Sequence, residues 1–79
     1  MKVFNIRLST IEQVRNFVNT VSKYDCDVDL KSGRYLVDAK SIMGIFSLDL
    51  MNKIEVTIHD DCYECCEKLL EEIKDLIVD

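Results

Sequence analysis

The sequence contains no proline, only two glycines and no long hydrophobic run. With 48% hydrophobic residues and no proline- or glycine-rich stretch, the chain is neither disordered nor of low complexity. The longest purely apolar run is the three residues 76–78, and the first residues lack the apolar stretch of a secretion signal. These absences predict a single small soluble domain over residues 1–79, without a membrane span and located in the cytoplasm.

Basic residues are also scarce, because ten Lys and Arg stand against fifteen Asp and Glu and give a net charge of −5. The chain has no basic stripe of the kind that binds nucleic acid, so DNA and RNA are disfavoured as partners. Catalytic motifs are absent as well, including a glycine-rich phosphate loop, a nucleophile elbow and HExxH. We therefore expect neither an enzyme nor a bound cofactor.

Hydrophobic periodicity predicts four strands and three helices in the order β-α-β-β-α-β-α. Alternating apolar residues predict strands at 2–8, 26–31, 34–39 and 53–58. Helical spacing predicts helices over 11–23 and 42–48, and a last helix whose inward stripe is Cys62, Cys66, Leu69, Ile73 and Leu76. Half-buried strands with amphipathic helices favour an α+β fold, an antiparallel sheet with the helices on one face.

The predicted helix starts and the hairpin carry local signals. Ser9, followed three residues later by Glu12, predicts a capping box for the first helix. Ser41 predicts the N-cap of the second helix. The pair Ser32-Gly33 predicts the turn between the second and third strands.

One stretch of the sequence resembles a known family. Residues 39–48, which read Ala-Lys-Ser-Ile-Met-Gly-Ile-Phe-Ser-Leu, look like the Lys-Ser-Ile-Met-Gly signature of HPr. HPr is the small histidine-containing phosphocarrier of the bacterial sugar phosphotransferase system. Weaker agreement runs through Phe17-Val18 and residues 55–58. The resemblance implies an open-faced β-sandwich of four strands in the order 1-4-2-3, with three helices on one face.

The same resemblance locates a departure from the family at the start of the first helix. HPr carries phosphate on a histidine in a Gly-Leu-His-x-Arg-Pro segment there. Aligning on Phe17-Val18 places Thr10 at the histidine, Glu12 at the arginine and Gln13 at the proline. Because a threonine ester lacks the transfer potential of phosphohistidine and Glu12 repels phosphate, the alignment predicts a protein without phosphocarrier activity. A protein-binding or regulatory module is then expected.

Ser41 and the second helix are the candidate sites of such a module. Ser41 aligns with the serine that HPr kinase phosphorylates in Gram-positive relatives; the alternative is an N-cap serine that only stabilises the helix, and the two roles are compatible. The predicted exposed apolar patch of Ile42, Met43 and Phe46 favours protein binding. The resemblance implies Enzyme I, the kinase or the catabolite control protein as partners. The alternative is a helix sunk deeper into the core.

Two further interpretations concern other surfaces. The edge strand at 34–39 and the apolar helix could each support a homodimer. The alternative function is a thiol-based metal or redox protein that uses His59, Cys62, Cys65 and Cys66, all near one helical turn. Against a metal site, a closed zinc site needs two separated ligand pairs, and the inward pattern is typical of cysteines packed as small apolar residues. His59 is expected to be an exposed loop residue.

Overall fold

Strands and helices alternate along the chain much as the hydrophobic pattern predicts. The computed structural model describes residues 2–59 and 63–78, except for the side chains at 63, 65 and 66. In chain order the elements are β1 (Lys2–Ile6), α1 (Ile11–Ser22), β2 (Val28–Ser32), β3 (Tyr35–Asp38), α2 (Ile42–Phe46), β4 (Ile54–Ile58), α3 (Tyr63–Ile73), a short 3-10 helix (Lys74–Leu76) and β5 (Ile77–Val78). Within these ranges, every helix is too short or too polar to cross a membrane.

Over the described residues the sheet has five strands rather than the four expected, in the order β3-β2-β4-β1-β5, and all neighbours are antiparallel. Its first four strands have the order that the resemblance implies. The fifth strand forms because α3 ends at Ile73 and the chain tightens into a 3-10 helix. Ile77 and Val78 then pair with β1, and the backbone N–H of Arg7 donates to the carbonyl oxygen of Leu76 at 3.0 Å.

The core lies between one face of the sheet and the helices. Its buried side chains come from alternate strand positions and from one stripe of each helix, and they include Ile6, Val28, Leu30, Ile54, Val56 and Ile58 from strands and Val14, Phe17, Val21, Ile45, Leu69 and Ile73 from helices. Burying a side chain of this size contributes about 1.5–3 kcal/mol. Among the described residues no polar or charged residue is buried, so the core is apolar throughout.

The hairpin between β2 and β3 turns at Gly33 and Arg34. Gly33 has φ of 60°, a left-handed conformation that glycine adopts without steric cost. A glycine with positive φ at the first central position is what a type II′ hairpin turn needs. As a result Tyr35, rather than Arg34, begins the return strand, and it pairs with Ser32.

Candidate functional site

Thr10 caps the first helix. Its backbone is extended, with φ −131° and ψ 158°, and its Oγ1 accepts a hydrogen bond from the Gln13 N–H at 3.0 Å. The Gln13 side chain reaches back, and its Oε1 accepts from the Ser9 N–H at 2.6 Å. The predicted capping box of Ser9 and Glu12 is therefore wrong by one position, because the serine–glutamate spacing also fits the pair Thr10 and Gln13.

A negative charge near the N-terminus of α1 also stabilises the helix. Glu12 is exposed in the first turn, where a carboxylate interacts favourably with the partial positive charge of the helix dipole. A threonine hydroxyl becomes a nucleophile only when a neighbouring base activates it. The Thr10 oxygen instead accepts a backbone hydrogen bond, so its observed role is to stabilise α1.

A long-range contact links the segment between β1 and α1 to the loop after α2. Arg7 Nη2 donates to the carbonyl oxygen of Met51 at 2.7 Å, and the Met51 side chain is exposed. Asp49 orders the same loop, because its two carboxylate oxygens accept from the Met51 N–H at 3.1 Å and from Asn52 Nδ2 at 2.8 Å. Sequence reasoning missed Arg7, since its partner is 44 residues away and no local pattern marks the contact. The segment before α1 and the loop after α2 therefore lie next to each other on the surface.

Ser41 caps α2, as its position in the sequence predicts. Its Oγ accepts from the Gly44 N–H at 3.1 Å, and its carbonyl oxygen accepts from the Ile45 N–H at 3.0 Å. Gly44 allows the helix to approach β3 closely, because a Cβ at this position would lie 3.2 Å from Val37 Cβ and 3.1 Å from Ser41 Oγ. One side of α2 is therefore held against the sheet.

The other side of α2 presents apolar side chains to solvent. Ile45 and Leu48 are buried, whereas Met43 is 77% exposed and Phe46 is 40% exposed. Ile42 is half-buried and packs against the core, so it contributes less exposed surface than the sequence suggests. Met43 and Phe46 are three positions apart and thus neighbours on the helix surface. We call these two residues the α2 patch.

His59 lies at the opposite end of the sheet from Thr10. It follows Ile58, which pairs with Lys2 at the beginning of β1, whereas Thr10 follows the end of that five-residue strand. The length of β1, about 17 Å, therefore separates the two ends. The His59 N–H donates to the carbonyl oxygen of Asp27 at 2.7 Å, and its Nε2 lies 2.8 Å from Asp29 Oδ2. The residue is exposed, as expected.

The cysteines give no support to the metal or redox alternative. Cys26 is buried just before β2. Cys62 lies outside the described residues, and so do the side chains of Cys65 and Cys66. Among the side chains that the structure describes, no three His, Cys, Asp or Glu residues are grouped so that they could hold a metal ion.

A charged cluster joins the end of α1, opposite to the Thr10 end, to α3. Lys23 Nζ lies 2.7 Å from Glu72 Oε1, and the Tyr24 hydroxyl donates to Glu72 Oε2. These hydrogen bonds, chiefly the one from Lys23, hold the pKa of Glu72 below its usual value. These three side chains connect the end of α1 to α3 and thus help to hold the two helices together.

Comparisons with known proteins identify a family that shares this fold. The model of a family described as the PTS HPr component phosphorylation site matches residues 13–79. The chain belongs to the HPr family. The resemblance drawn from residues 39–48 is thereby confirmed. The matched residues begin at Gln13, so Thr10 and Glu12, which are predicted from the sequence to stand at the family's histidine and arginine positions, precede the match.

Solved HPr structures share the fold. HPr-C-His from Thermoanaerobacter tengcongensis is 28% identical, with a TM-score of 0.77 over 95% of this chain and 92% of that chain. An HPr dimer from the same organism is 30% identical, with a TM-score of 0.65 over 86% of this chain and 79% of that chain. The phosphocarrier protein HPr from Bacillus anthracis str. Ames is 26% identical, with a TM-score of 0.64 over 86% and 90%.

Proposed function

We propose that this HPr-family protein has lost histidine phosphocarrier activity and acts as a protein-binding or regulatory module. The observation that carries the proposal is the Thr10 hydroxyl, which aligns with the family's histidine and caps α1 through the Gln13 N–H at 3.0 Å. An imidazole nitrogen both accepts and releases a phosphoryl group readily, whereas a threonine ester does not. Glu12 adds a negative charge where the family has a cation that binds phosphate.

The α2 patch is the proposed docking surface for a partner protein. Exposed apolar side chains that lie together commonly mark interaction sites, and methionine adapts its shape to a partner. The contact between Arg7 and Met51 at 2.7 Å holds the adjoining loop in place. The family docks Enzyme I, HPr kinase and the catabolite control protein on this helix, so these three are the candidate partners.

Binding to the three purified candidates, compared between the wild type and Met43→Asp, tests this surface. A charge at the centre of an apolar contact should weaken binding by about tenfold or more. Val3→Asp is the matched control, because Val3 is 54% exposed but lies on the open face of the sheet. Equal binding by the wild type and Met43→Asp would contradict the docking surface, as would no binding of any candidate.

Ser41 is the proposed site of regulation. Its exposed hydroxyl lies two residues before Met43, so a phosphate there would add about 1.5 to 2 negative charges beside the α2 patch. Incubation with HPr kinase and ATP, followed by mass spectrometry, should place one phosphate on the wild type and on Ser47→Ala but not on Ser41→Ala. If the wild type is not phosphorylated, regulation by HPr kinase is contradicted, and only the protein-binding part of the proposal remains.

A further inference from the structure

The outer edge of β3 carries backbone groups that can pair with another strand. β3 is the last strand on one side of the described sheet, and Tyr35 and Leu36 are 65% and 66% exposed. Because Ser32 and Tyr35 close a two-residue hairpin, Tyr35 and Val37 direct their N–H and C=O groups toward β2. Leu36 therefore directs its backbone groups away from the sheet, which makes this edge a template for strand addition.

We propose that β3 pairs antiparallel with β3 of a second copy of this chain, with Leu36 opposite Leu36. In this register Arg34 of each copy faces Asp38 of the other, so two opposite-charge pairs flank the two-fold axis. Leu36 and Asp38 alternate onto the open face of the sheet, and Arg34, in the turn just before β3, lines the same shallow cleft as Leu36. The strand is thus complementary to itself in charge.

Neighbouring registers are less favourable. Moving the axis to Val37 would place Asp38 opposite Leu36 and Arg34 opposite Lys40, which follows the end of β3, so neither charge would face an opposite charge. Moving the axis to Tyr35 would place Arg34 opposite Leu36 and leave both charges without a partner across the interface. Charge therefore selects the register centred on Leu36.

The hydrogen bonds already present at this edge are compatible with the pairing. The Asp38 carbonyl oxygen accepts from the Ser41 N–H at 3.0 Å, and Asp38 Oδ1 accepts from the Lys40 N–H at 2.8 Å. The second carboxylate oxygen, Oδ2, remains for the Arg34 guanidinium of the second copy. The two Leu36 residues exchange N–H to C=O bonds, and the Asp38 N–H donates to the Arg34 carbonyl oxygen.

The association is a weak one. β3 has four residues, and a contact of that length buries less than the roughly 1,200 Å² at which standard interfaces begin. The two-fold symmetry closes the assembly at two copies, because each β3 edge is used once. The dimer therefore forms in a concentration-dependent way.

Sedimentation of the whole chain from micromolar to millimolar protein tests the pairing. Arg34→Glu and Asp38→Lys each place like charges opposite one another twice, and each should weaken dimerisation by about tenfold. An equal mixture of the two variants should associate more tightly than either alone, because the introduced glutamate then faces the introduced lysine. Arg15→Glu is the control, since it makes the same charge change on the exposed side of α1.

A backbone variant tests the edge independently of charge. Leu36→Pro removes only an N–H that faces away from the sheet, a position where strands tolerate proline. It should keep the circular dichroism spectrum of the wild type and abolish the dimer. The proposal is overturned if the wild type stays monomeric at millimolar protein or if a dimer survives both Arg34→Glu and Leu36→Pro. It is also overturned if the mixture associates no better than the single variants.

Discussion

At the scale of single residues, Thr10 and Gln13 satisfy two backbone N–H groups that the start of α1 would otherwise leave without partners. The bonds run from the Gln13 N–H to Thr10 Oγ1 and from the Ser9 N–H to Gln13 Oε1. Thr10→Ala should therefore lower the free energy of unfolding by about 1 kcal/mol. Thr10→Ser should keep most of this stabilisation, because serine is also a good N-cap. Urea denaturation measures both. An alanine variant as stable as the wild type would contradict the cap.

A second residue makes stability depend on pH. The Lys23 and Tyr24 hydrogen bonds lower the pKa of Glu72 from 4.5, so its ionised form is favoured in the folded state. The resulting stabilisation is present above the unfolded value of 4.5 and is lost as the pH falls through the lower, folded value. Glu72→Gln should thus be less stable than the wild type at pH 7, with the difference shrinking in acid. A difference that grew in acid would contradict this assignment.

At the scale of elements, α2 combines a buried side with a solvent-facing side within five residues. Ile45→Ala should lower the free energy of unfolding by about 2–5 kcal/mol, because it leaves a cavity in the core. Met43→Ala, on the same helix, should change it by less than about 0.5 kcal/mol. Thermal and urea unfolding of the two variants compare the buried side of α2 with its solvent-facing side directly. Similar losses for both would show that Met43 belongs to the core.

Local signals explain which elements could be predicted from the sequence. Ser41 as a cap and the buried pair Ile45 and Leu48 follow from spacing within one or two helical turns. The five-strand sheet could not be predicted, since the pairing of Ile77 with Ile6 joins the two ends of the chain. The half-buried position of Ile42 is also a tertiary effect, because periodicity does not tell how deeply a short helix sits on a sheet.

At the scale of the whole molecule, the HPr fold depends on an apolar core that is separate from the start of α1. The buried residues lie between the sheet and the helices, whereas Thr10 and Glu12 are exposed. A change of chemistry at the helix start therefore leaves the packing of the family intact. This separation supports the proposal that the chain keeps the HPr architecture and the α2 segment while a helix-capping threonine stands at the position proposed to correspond to the family's histidine.

The central claim, that phosphocarrier activity has been lost, is tested most directly by incubating the protein with phosphoenolpyruvate and Enzyme I. The measurement is the amount of acid-labile phosphate bound per chain, with an HPr that carries the histidine as the positive control. The structure-based expectation is that the control is phosphorylated and this protein is not. Stoichiometric acid-labile phosphate on this chain, at any residue, would contradict the account.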